Sequence, residues 1–252
     1  MDSKWFRRYT TGTADGLRLV CFPHAGASAT AYLRLARALP TDLDVVSVQY
    51  PGRQDRRRES PFTGLTPLAE AVAGELAAEL TADGARPYAL FGHSMGAVVA
   101  YETARLLAQR ELPGPRRLFL SGRGAPGPRP GLHDRLTGDA EVLAAVRMLG
   151  GTDQSVLDDP ELLEMVLPVL RADYRALGTY SWRGGEPLTA PVTALVGDRD
   201  PVVPVAAAEA WREHTSGGFA LKVFSGGHFY LDDHLGQVAA AVTEGLLADA
   251  AA

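Results

Sequence analysis

Hydrophobic residues occur along the chain in short runs that alternate with longer amphipathic stretches. This alternation is the pattern expected when parallel strands are covered by helices on both faces, so it predicts an α/β fold with a mostly parallel central sheet. The six predicted strands are Leu17–Phe22, Leu43–Tyr50, Tyr88–Phe91, Arg117–Ser121, Val192–Val196 and Leu221–Phe224.

Helices are predicted between these strands. Ala29–Leu39 and Thr66–Leu80 repeat apolar residues at helical spacing, and Pro67 suits the first turn of the second helix. Ala97–Ala108 continues directly from a glycine-rich turn and is predicted to be a third helix. All three are expected to pack on the sheet.

The interval between the fourth and fifth predicted strands is too long for one crossover, which predicts an insertion at about residues 124–185. Its prolines and glycines exclude regular structure at first, and amphipathic helices are then predicted at Asp139–Leu149 and Pro160–Tyr180, with Pro168 expected to kink or break the second. An insertion here projects from the carboxyl edge of the strands, where ligands bind, so we interpret it as a lid. The alternative is a helical decoration with no role in binding.

Length and charge narrow the function classes. A chain of 252 residues fits a single α/β domain, and a net charge of −5 disfavours nucleic acid, which binds basic surfaces. The one cysteine, Cys21, excludes an intramolecular disulfide and is expected in the core. The opening residues have no apolar signal core, and no apolar run approaches the ~18 residues of a membrane helix. We therefore expect a soluble cytoplasmic protein without a membrane partner.

The strongest local motif is Gly92-His93-Ser94-Met95-Gly96, which follows a predicted strand and precedes a predicted helix. This setting is typical of the nucleophile elbow of α/β-hydrolases, in which a sharp turn exposes a serine hydroxyl. Ser94 is therefore the predicted nucleophile, and the backbone N–H of Met95 is a predicted oxyanion donor. The alternative is a tight turn that contains serine by chance.

A serine nucleophile requires a base and an orienting acid, which in this fold follow the serine in the order acid, then histidine. Asp198 and Asp200 come just after the fifth predicted strand, and His228 follows the last one. His228 is the predicted base. We prefer Asp200 as the acid because Asp198 lies closer to the strand end and is better placed to cap the turn.

A second oxyanion donor is expected in the loop after the first predicted strand. Pro23 has no N–H, so Ala25 is the first candidate and His24 the next. The alternative, an ordinary turn with Ser28 as N-cap of the following helix, is compatible with this role.

Taken together, these motifs resemble the type II thioesterases associated with polyketide and nonribosomal peptide synthesis. The resemblance spans nearly the whole chain, and the combination of motifs is much more specific than the elbow alone. The segments that carry it are Phe22-Pro23-His24-Ala25-Gly26, Gln49-Tyr50-Pro51-Gly52-Arg53, Phe91-Gly92-His93-Ser94-Met95-Gly96-Ala97, Leu170-Arg171-Ala172-Asp173-Tyr174 and Gly226-Gly227-His228-Phe229.

The resemblance implies a free-standing editing hydrolase that releases stalled or aberrant acyl groups from the phosphopantetheine arm of acyl or peptidyl carrier proteins through an acyl-enzyme. It implies a helical lid over an acyl chamber. Thioester hydrolysis by a serine needs no metal or organic cofactor, and a monomer is expected. The residues expected to contact substrate are His24, Leu163, Leu167, Leu170 and Phe229. A basic cluster is a hypothetical docking patch for acidic carriers; it comprises Arg53, Arg56, Arg57 and Arg58.

Two other functions stay open on the residues alone. A carboxylesterase or lipase uses the same three residues on oxygen esters. A non-catalytic binding protein with a hydrolase fold is the alternative of another class, since fold does not imply function.

Overall fold

The computed structural model describes residues 3–13, 16–82, 86–136, 138–152 and 154–250. Within these residues, seven strands form one central sheet. The strands are β1 (Phe6–Arg8), β2 (Arg18–Phe22), β3 (Asp44–Val48), β4 (Tyr88–His93), β5 (Leu118–Ser121), β6 (Val192–Gly197) and β7 (Phe219–Phe224).

The strand order is β1-β3-β2-β4-β5-β6-β7, and every neighbouring pair is parallel except β1 with β3. All six predicted strands are present, and the predicted α/β-hydrolase architecture is confirmed. The sequence pattern missed β1 because it has three residues, two of them arginines, and offers no apolar run. The parallel strands end at one edge of the sheet. The residues that follow β4, β6 and β7 therefore lie close together at this edge.

Helices cover both faces of this sheet. They are α1 (Leu33–Ala38), α2 (Leu65–Ala82), α3 (Met95–Gln109), α4 (Asp139–Leu149), α5 (Gln154–Asp158), α6 (Pro160–Thr179), α7 (Val205–Glu209), α8 (Tyr230–Asp233) and α9 (Leu235–Ala250). One buried cluster packs α2 and α3 on the sheet, and a second packs α1 and α9 on the opposite face. In the described parts of the chain no helix is long and apolar enough to cross a membrane.

Three local features differ from the sequence-based expectations. The first predicted helix opens as a 3-10 turn at Ala29–Tyr32 before α1 begins. Helix α6 runs through Pro168 without a break. Proline has no N–H, so the carbonyl of Glu164 loses its helical donor, but Glu164 and Pro168 both lie on the exposed face, where water can replace it. Helix α9, which received no prediction, covers the second face with small apolar residues.

Candidate active site

Ser94 occupies the turn between β4 and α3 with φ 55° and ψ −118°, a conformation that L-residues rarely adopt. Its backbone N–H donates to the carbonyl oxygen of Ser121 over 2.8 Å. The turn is possible because its flanks are glycines. A Cβ on Gly92 would overlap the backbone of Gly96, and a Cβ on Gly96 would overlap the carbonyl oxygen of Phe22. The strained serine is thus held by close backbone packing.

The Ser94 hydroxyl lies 3.0 Å from Nε2 of His228, and Nδ1–H of the same imidazole donates to Oδ2 of Asp200 over 2.7 Å. The other carboxylate oxygen of Asp200 accepts the N–H groups of Val202 and Val203 at 2.9 and 3.1 Å. The His228 and Asp200 side chains are fully buried. This chain of contacts fixes the imidazole tautomer so that Nε2 can receive the proton of the hydroxyl.

Asp198 has a different environment, although only one residue separates it from Asp200. Its Oδ1 accepts the backbone N–H of Gly226 over 2.8 Å, and its side chain is 49% exposed. The carboxylate therefore links the end of β6 to the loop after β7 and does not contact the imidazole of His228.

Two further histidines surround the His228 ring. His93 lies 5.0 Å from it and 5.8 Å from His24, between ring centroids, and Phe229 packs against all three imidazoles. Burial, and next the nearby His228, lower the pKa of His24 to about 3 and hold the pKa of His93 well below its usual range. Both rings are thus neutral near pH 7.

Hydrogen bonds hold the His93 ring beneath the turn. Its Nδ1 lies 2.9 Å from the hydroxyl of Ser121, which in turn lies 2.6 Å from the hydroxyl of Tyr230. These hydrogen bonds join β4, β5 and α8 under Ser94. No sequence motif indicates them, because the three residues come from distant parts of the polypeptide.

Ala25 lines the same cavity as Ser94, and Met95 is the first residue of α3. The helix dipole makes this end favourable for negative charge. Ser28 precedes the 3-10 turn but makes no capping hydrogen bond through its side chain. The loop that contains Ala25 is instead held by residues from other elements.

A cavity of about 300 Å³ opens beside Ser94 and His228. Its walls come from the loop that follows β5 and from helices α4 and α6 of the insertion, including Gly124, Met148 and Tyr174. A narrow extension of about 30 Å³ leads past His24 and Phe229. The loop after β5 was not predicted as a wall, although its position at the carboxyl end of a strand is a signal for this role.

Leu163, Leu167 and Leu170 do not line either of these spaces, contrary to the expectation for the acyl chamber. Leu170 is buried under the loop that carries Gly26, and Leu163 packs against the hydrophobic core. The apolar face of α6 is thus used for packing at these positions, whereas Tyr174 and Leu177 of the same helix face the cavity.

The prediction of a basic surface patch is wrong for two of its four arginines. Arg53 and Arg56 are buried, the first against Asp173 and the second against Glu59 and the Trp5 ring. Both guanidinium groups are used inside the protein, so only Arg57 and Arg58 of the four are exposed.

In the described residues no three or more His, Cys, Asp or Glu side chains are grouped to hold a metal ion. The free thiol of Cys21 is buried, and burial raises its pKa far above the usual range, so it is a core residue.

Comparisons with known proteins agree with this fold. The model of a family described as Thioesterase domain matches residues 17–245. Thioesterase PikA5 of Streptomyces venezuelae is 47% identical over 246 residues, which cover 96% of this chain and 85% of that protein. The type II thioesterase BorB from the borrelidin biosynthetic cluster has a TM-score of 0.87 at 43% identity, covering 98% of this chain and 99% of that one. The RedJ thioesterase from the prodiginine pathway in Streptomyces coelicolor has a TM-score of 0.79 at 41% identity, covering 89% and 85%.

Proposed function

Because this chain belongs to the thioesterase family, we propose that it releases acyl groups from the phosphopantetheine arm of carrier proteins by hydrolysing the thioester. The resemblance to type II thioesterases that the sequence motifs indicate is confirmed by these relatives. The observation that carries the proposal is the unbroken contact chain from Ser94 through His228 to Asp200 at the wall of a cavity.

In the acylation step, Ser94 Oγ attacks the carbonyl carbon of the thioester while His228 Nε2 takes the hydroxyl proton. Asp200 stabilises the resulting imidazolium through its 2.7 Å contact. The carbonyl oxygen becomes an oxyanion, which the N–H groups of Ala25 and Met95 are proposed to bind. When the tetrahedral intermediate collapses, the carbon–sulfur bond breaks, the sulfur takes the proton from His228, and the acyl group remains on Ser94 as an ester.

In the deacylation step, a water molecule attacks the ester carbonyl while His228 removes one of its protons. Collapse of the second tetrahedral intermediate breaks the bond to Ser94 Oγ, and the same proton returns to that oxygen. The products are a carboxylic acid and the unmodified serine. Each step needs the His228 imidazole neutral at its start. The hydrogen bond from its Nδ1–H to Asp200 orients this ring so that Nε2 faces Ser94.

We propose that the insertion at about residues 124–185 acts as the lid of this site. Helices α4 and α6 and the loop after β5 enclose the space next to Ser94, which fits a bound acyl chain. Enclosure also limits the access of water to the oxyanion, which strengthens its hydrogen bonds. His24 and Phe229 line the narrow extension and are proposed to contact the reacting end of the substrate.

The mouth of the cavity is the proposed docking surface for the carrier protein. Leu132 and Met148 are 79% and 51% exposed there, and Arg129 and His133 line the opening. Arg135 lies beside them, with its guanidinium donating to the carbonyl oxygen of Pro130. An acidic partner with an apolar centre complements such a rim, and an arm attached to that partner can enter directly.

The rim is more basic than the chain as a whole. Residues 123–135 contain three arginines and one aspartate, a formal charge of 3 − 1 = +2, whereas the whole chain carries −5. We propose that a single copy of the chain acts on such carriers in the cytoplasm.

The proposal is tested with purified protein and a carrier protein loaded with radiolabelled acyl groups of several lengths. We expect release of free acid by the wild type and loss of release in Ser94→Ala. Matched small thioesters and oxygen esters are assayed in parallel. Faster turnover of the oxygen ester, with no release from the carrier, would instead assign the protein as a carboxylesterase, and a chain that neither hydrolyses any ester nor reacts with a fluorophosphonate would be a binding protein.

A further inference from the structure

The loop that carries Ala25 is held by two charged residues that do not contact the proposed reacting atoms. Asp173, on helix α6, accepts the backbone N–H of Gly26 over 2.7 Å through Oδ2. The same oxygen accepts a hydrogen bond from the Arg53 guanidinium. Gly26 is the residue directly after Ala25, so the carboxylate fixes the peptide plane next to the proposed oxyanion donor.

Arg53 supports the same loop from another direction. Its Nε donates to the carbonyl oxygen of Ala27 over 3.3 Å, and one terminal nitrogen donates to the carbonyl oxygen of Pro51 over 2.8 Å. The guanidinium therefore joins the segment after β3 to the loop after β2, while its remaining nitrogen reaches α6 through Asp173. The planar fork of arginine spreads its donors over three nitrogens, and each nitrogen of Arg53 reaches a different acceptor.

The two charged groups of this arrangement are almost completely buried. The Arg53 and Asp173 side chains are only 4% and 2% exposed. Transfer of two charges out of water has a large free-energy cost, which their attraction must offset, and a buried apolar pair is often as stable. Burial raises the pKa of Asp173 above its usual range, and the neighbouring Arg53 and Gly26 N–H only partly oppose this rise.

The contacts also connect the loop to the wall of the cavity. Leu170, one helical turn before Asp173, packs so closely on Gly26 that a Cβ there would lie 2.6 Å from its Cδ2. Tyr174, the residue after Asp173, lines the cavity beside Ser94. Helix α6 therefore contacts Gly26, the residue after the proposed oxyanion donor, through both Leu170 and Asp173.

We propose that Arg53 and Asp173 are positioning residues that hold the Ala25 N–H in place for the oxyanion and attach helix α6 to it. This inference rests on the proposed function, since it assigns a role in the same reaction. Loss of a single oxyanion donor lowers turnover by about 10²–10³-fold. A distant substitution that displaces the reacting groups by about 1 Å can lower turnover by about 10²-fold. Disruption of the pair is expected to act through kcat, because the oxyanion is absent from the bound substrate and develops only in the transition state and the tetrahedral intermediate.

The test uses Asp173→Asn, Arg53→Met and Arg53→Lys, assayed with a small p-nitrophenyl ester and with a small thioester. Active sites are titrated with a fluorophosphonate so that kcat refers to folded enzyme. We expect Asp173→Asn and Arg53→Met to lower kcat by about 10²-fold with KM within about threefold, and Arg53→Lys to lose less. A boronic acid that forms a tetrahedral adduct with Ser94 is expected to bind more weakly by a similar factor.

The control is Asp44→Asn, another buried carboxylate at the opposite end of the sheet, where Asp44 pairs with Arg18 and also with Arg8 and Arg86. It is expected to lower thermal stability and to leave kcat and boronate affinity unchanged. The inference is overturned when Asp173→Asn and Arg53→Met keep wild-type kcat and boronate affinity, or when Asp44→Asn reduces both equally. Failure of the proposed function is a separate result, since it appears as wild-type protein that hydrolyses small esters but releases nothing from a carrier.

Discussion

Asp200 and His228 are joined by a 2.7 Å hydrogen bond between Oδ2 and Nδ1–H, although 28 positions separate them in the chain. The bond connects the turn after β6 to the loop after β7. Because β6 and β7 are neighbouring parallel strands, their carboxyl ends bring these two loops together. The neighbouring carboxylate of Asp198 is directed to the Gly226 N–H and is not available for this contact.

This difference predicts unequal effects of two identical substitutions. We expect Asp200→Asn to lower kcat about 10⁴-fold, because an amide no longer stabilises the imidazolium or fixes its tautomer. Asp198→Asn is expected to lower kcat less than about tenfold, since it weakens one backbone hydrogen bond. Steady-state kinetics on a small thioester measures both, and the opposite order would transfer the acid role to Asp198.

Gly96, two residues after Ser94, is predicted to be required for the close packing of the turn. A Cβ on Gly96 would overlap the Phe22 carbonyl oxygen on β2, so Gly96→Ala is expected to lower the free energy of unfolding by about 3 kcal/mol. Gly74→Ala is the control, because Gly74 lies in α2 with no neighbour within 4 Å of its would-be Cβ. That change is expected to stabilise the protein by up to about 1 kcal/mol. Urea denaturation compares the two, and equal effects would contradict this account.

The pH dependence of stability is predicted to contain a contribution from buried neutral histidine. Burial, with His228 and His24 nearby, keeps the pKa of His93 below the value of about 6.5 for an unfolded chain. The unfolded state therefore binds the additional proton as the pH falls, so the free energy of unfolding is expected to decrease from pH 7 to pH 5.

His93→Gln is expected to reduce this pH dependence by up to one proton taken up on unfolding. Denaturant titrations at several pH values give the slope. His133→Gln, at an exposed position, is the control and is expected to leave the slope unchanged. An identical slope in His93→Gln and wild type would mean that His93 is not the group responsible.

The proposed docking rim predicts a loss that depends on the substrate. Leu132→Asp and Arg135→Glu are expected to raise KM for an acyl-carrier substrate about tenfold each, because they remove apolar contact or reverse a charge at the mouth. Neither residue lines the cavity, so turnover of a small thioester is expected to remain at the wild-type level.

The control for the rim is Arg57→Glu together with Arg58→Glu, the exposed part of the cluster first considered for docking. We expect this double variant to resemble the wild type on both substrates. A larger effect at these two positions than at Leu132 and Arg135 would place the carrier on the other surface.

Much of the fold follows from local signals in the sequence. Apolar runs predicted six of the strands, and a glycine-serine-glycine turn between a strand and a helix predicted the position of Ser94. Such signals are readable because strand burial, turn geometry and the close approach at Gly92 and Gly96 each depend on a few consecutive residues. The position of His228 after the last strand follows from the same kind of pattern.

Other features were decided by tertiary structure alone. The burial of Arg53 against Asp173 and the packing of Leu170 under Gly26 both depend on the approach of segments far apart in the chain. An arginine inside a charge cluster has the same local pattern whether it faces solvent or a buried carboxylate. Local sequence thus determined which chemical groups are present and on which elements, whereas the packing of distant elements determined which of those groups meet and which remain accessible, because burial and hydrogen-bond partners are properties of the folded chain.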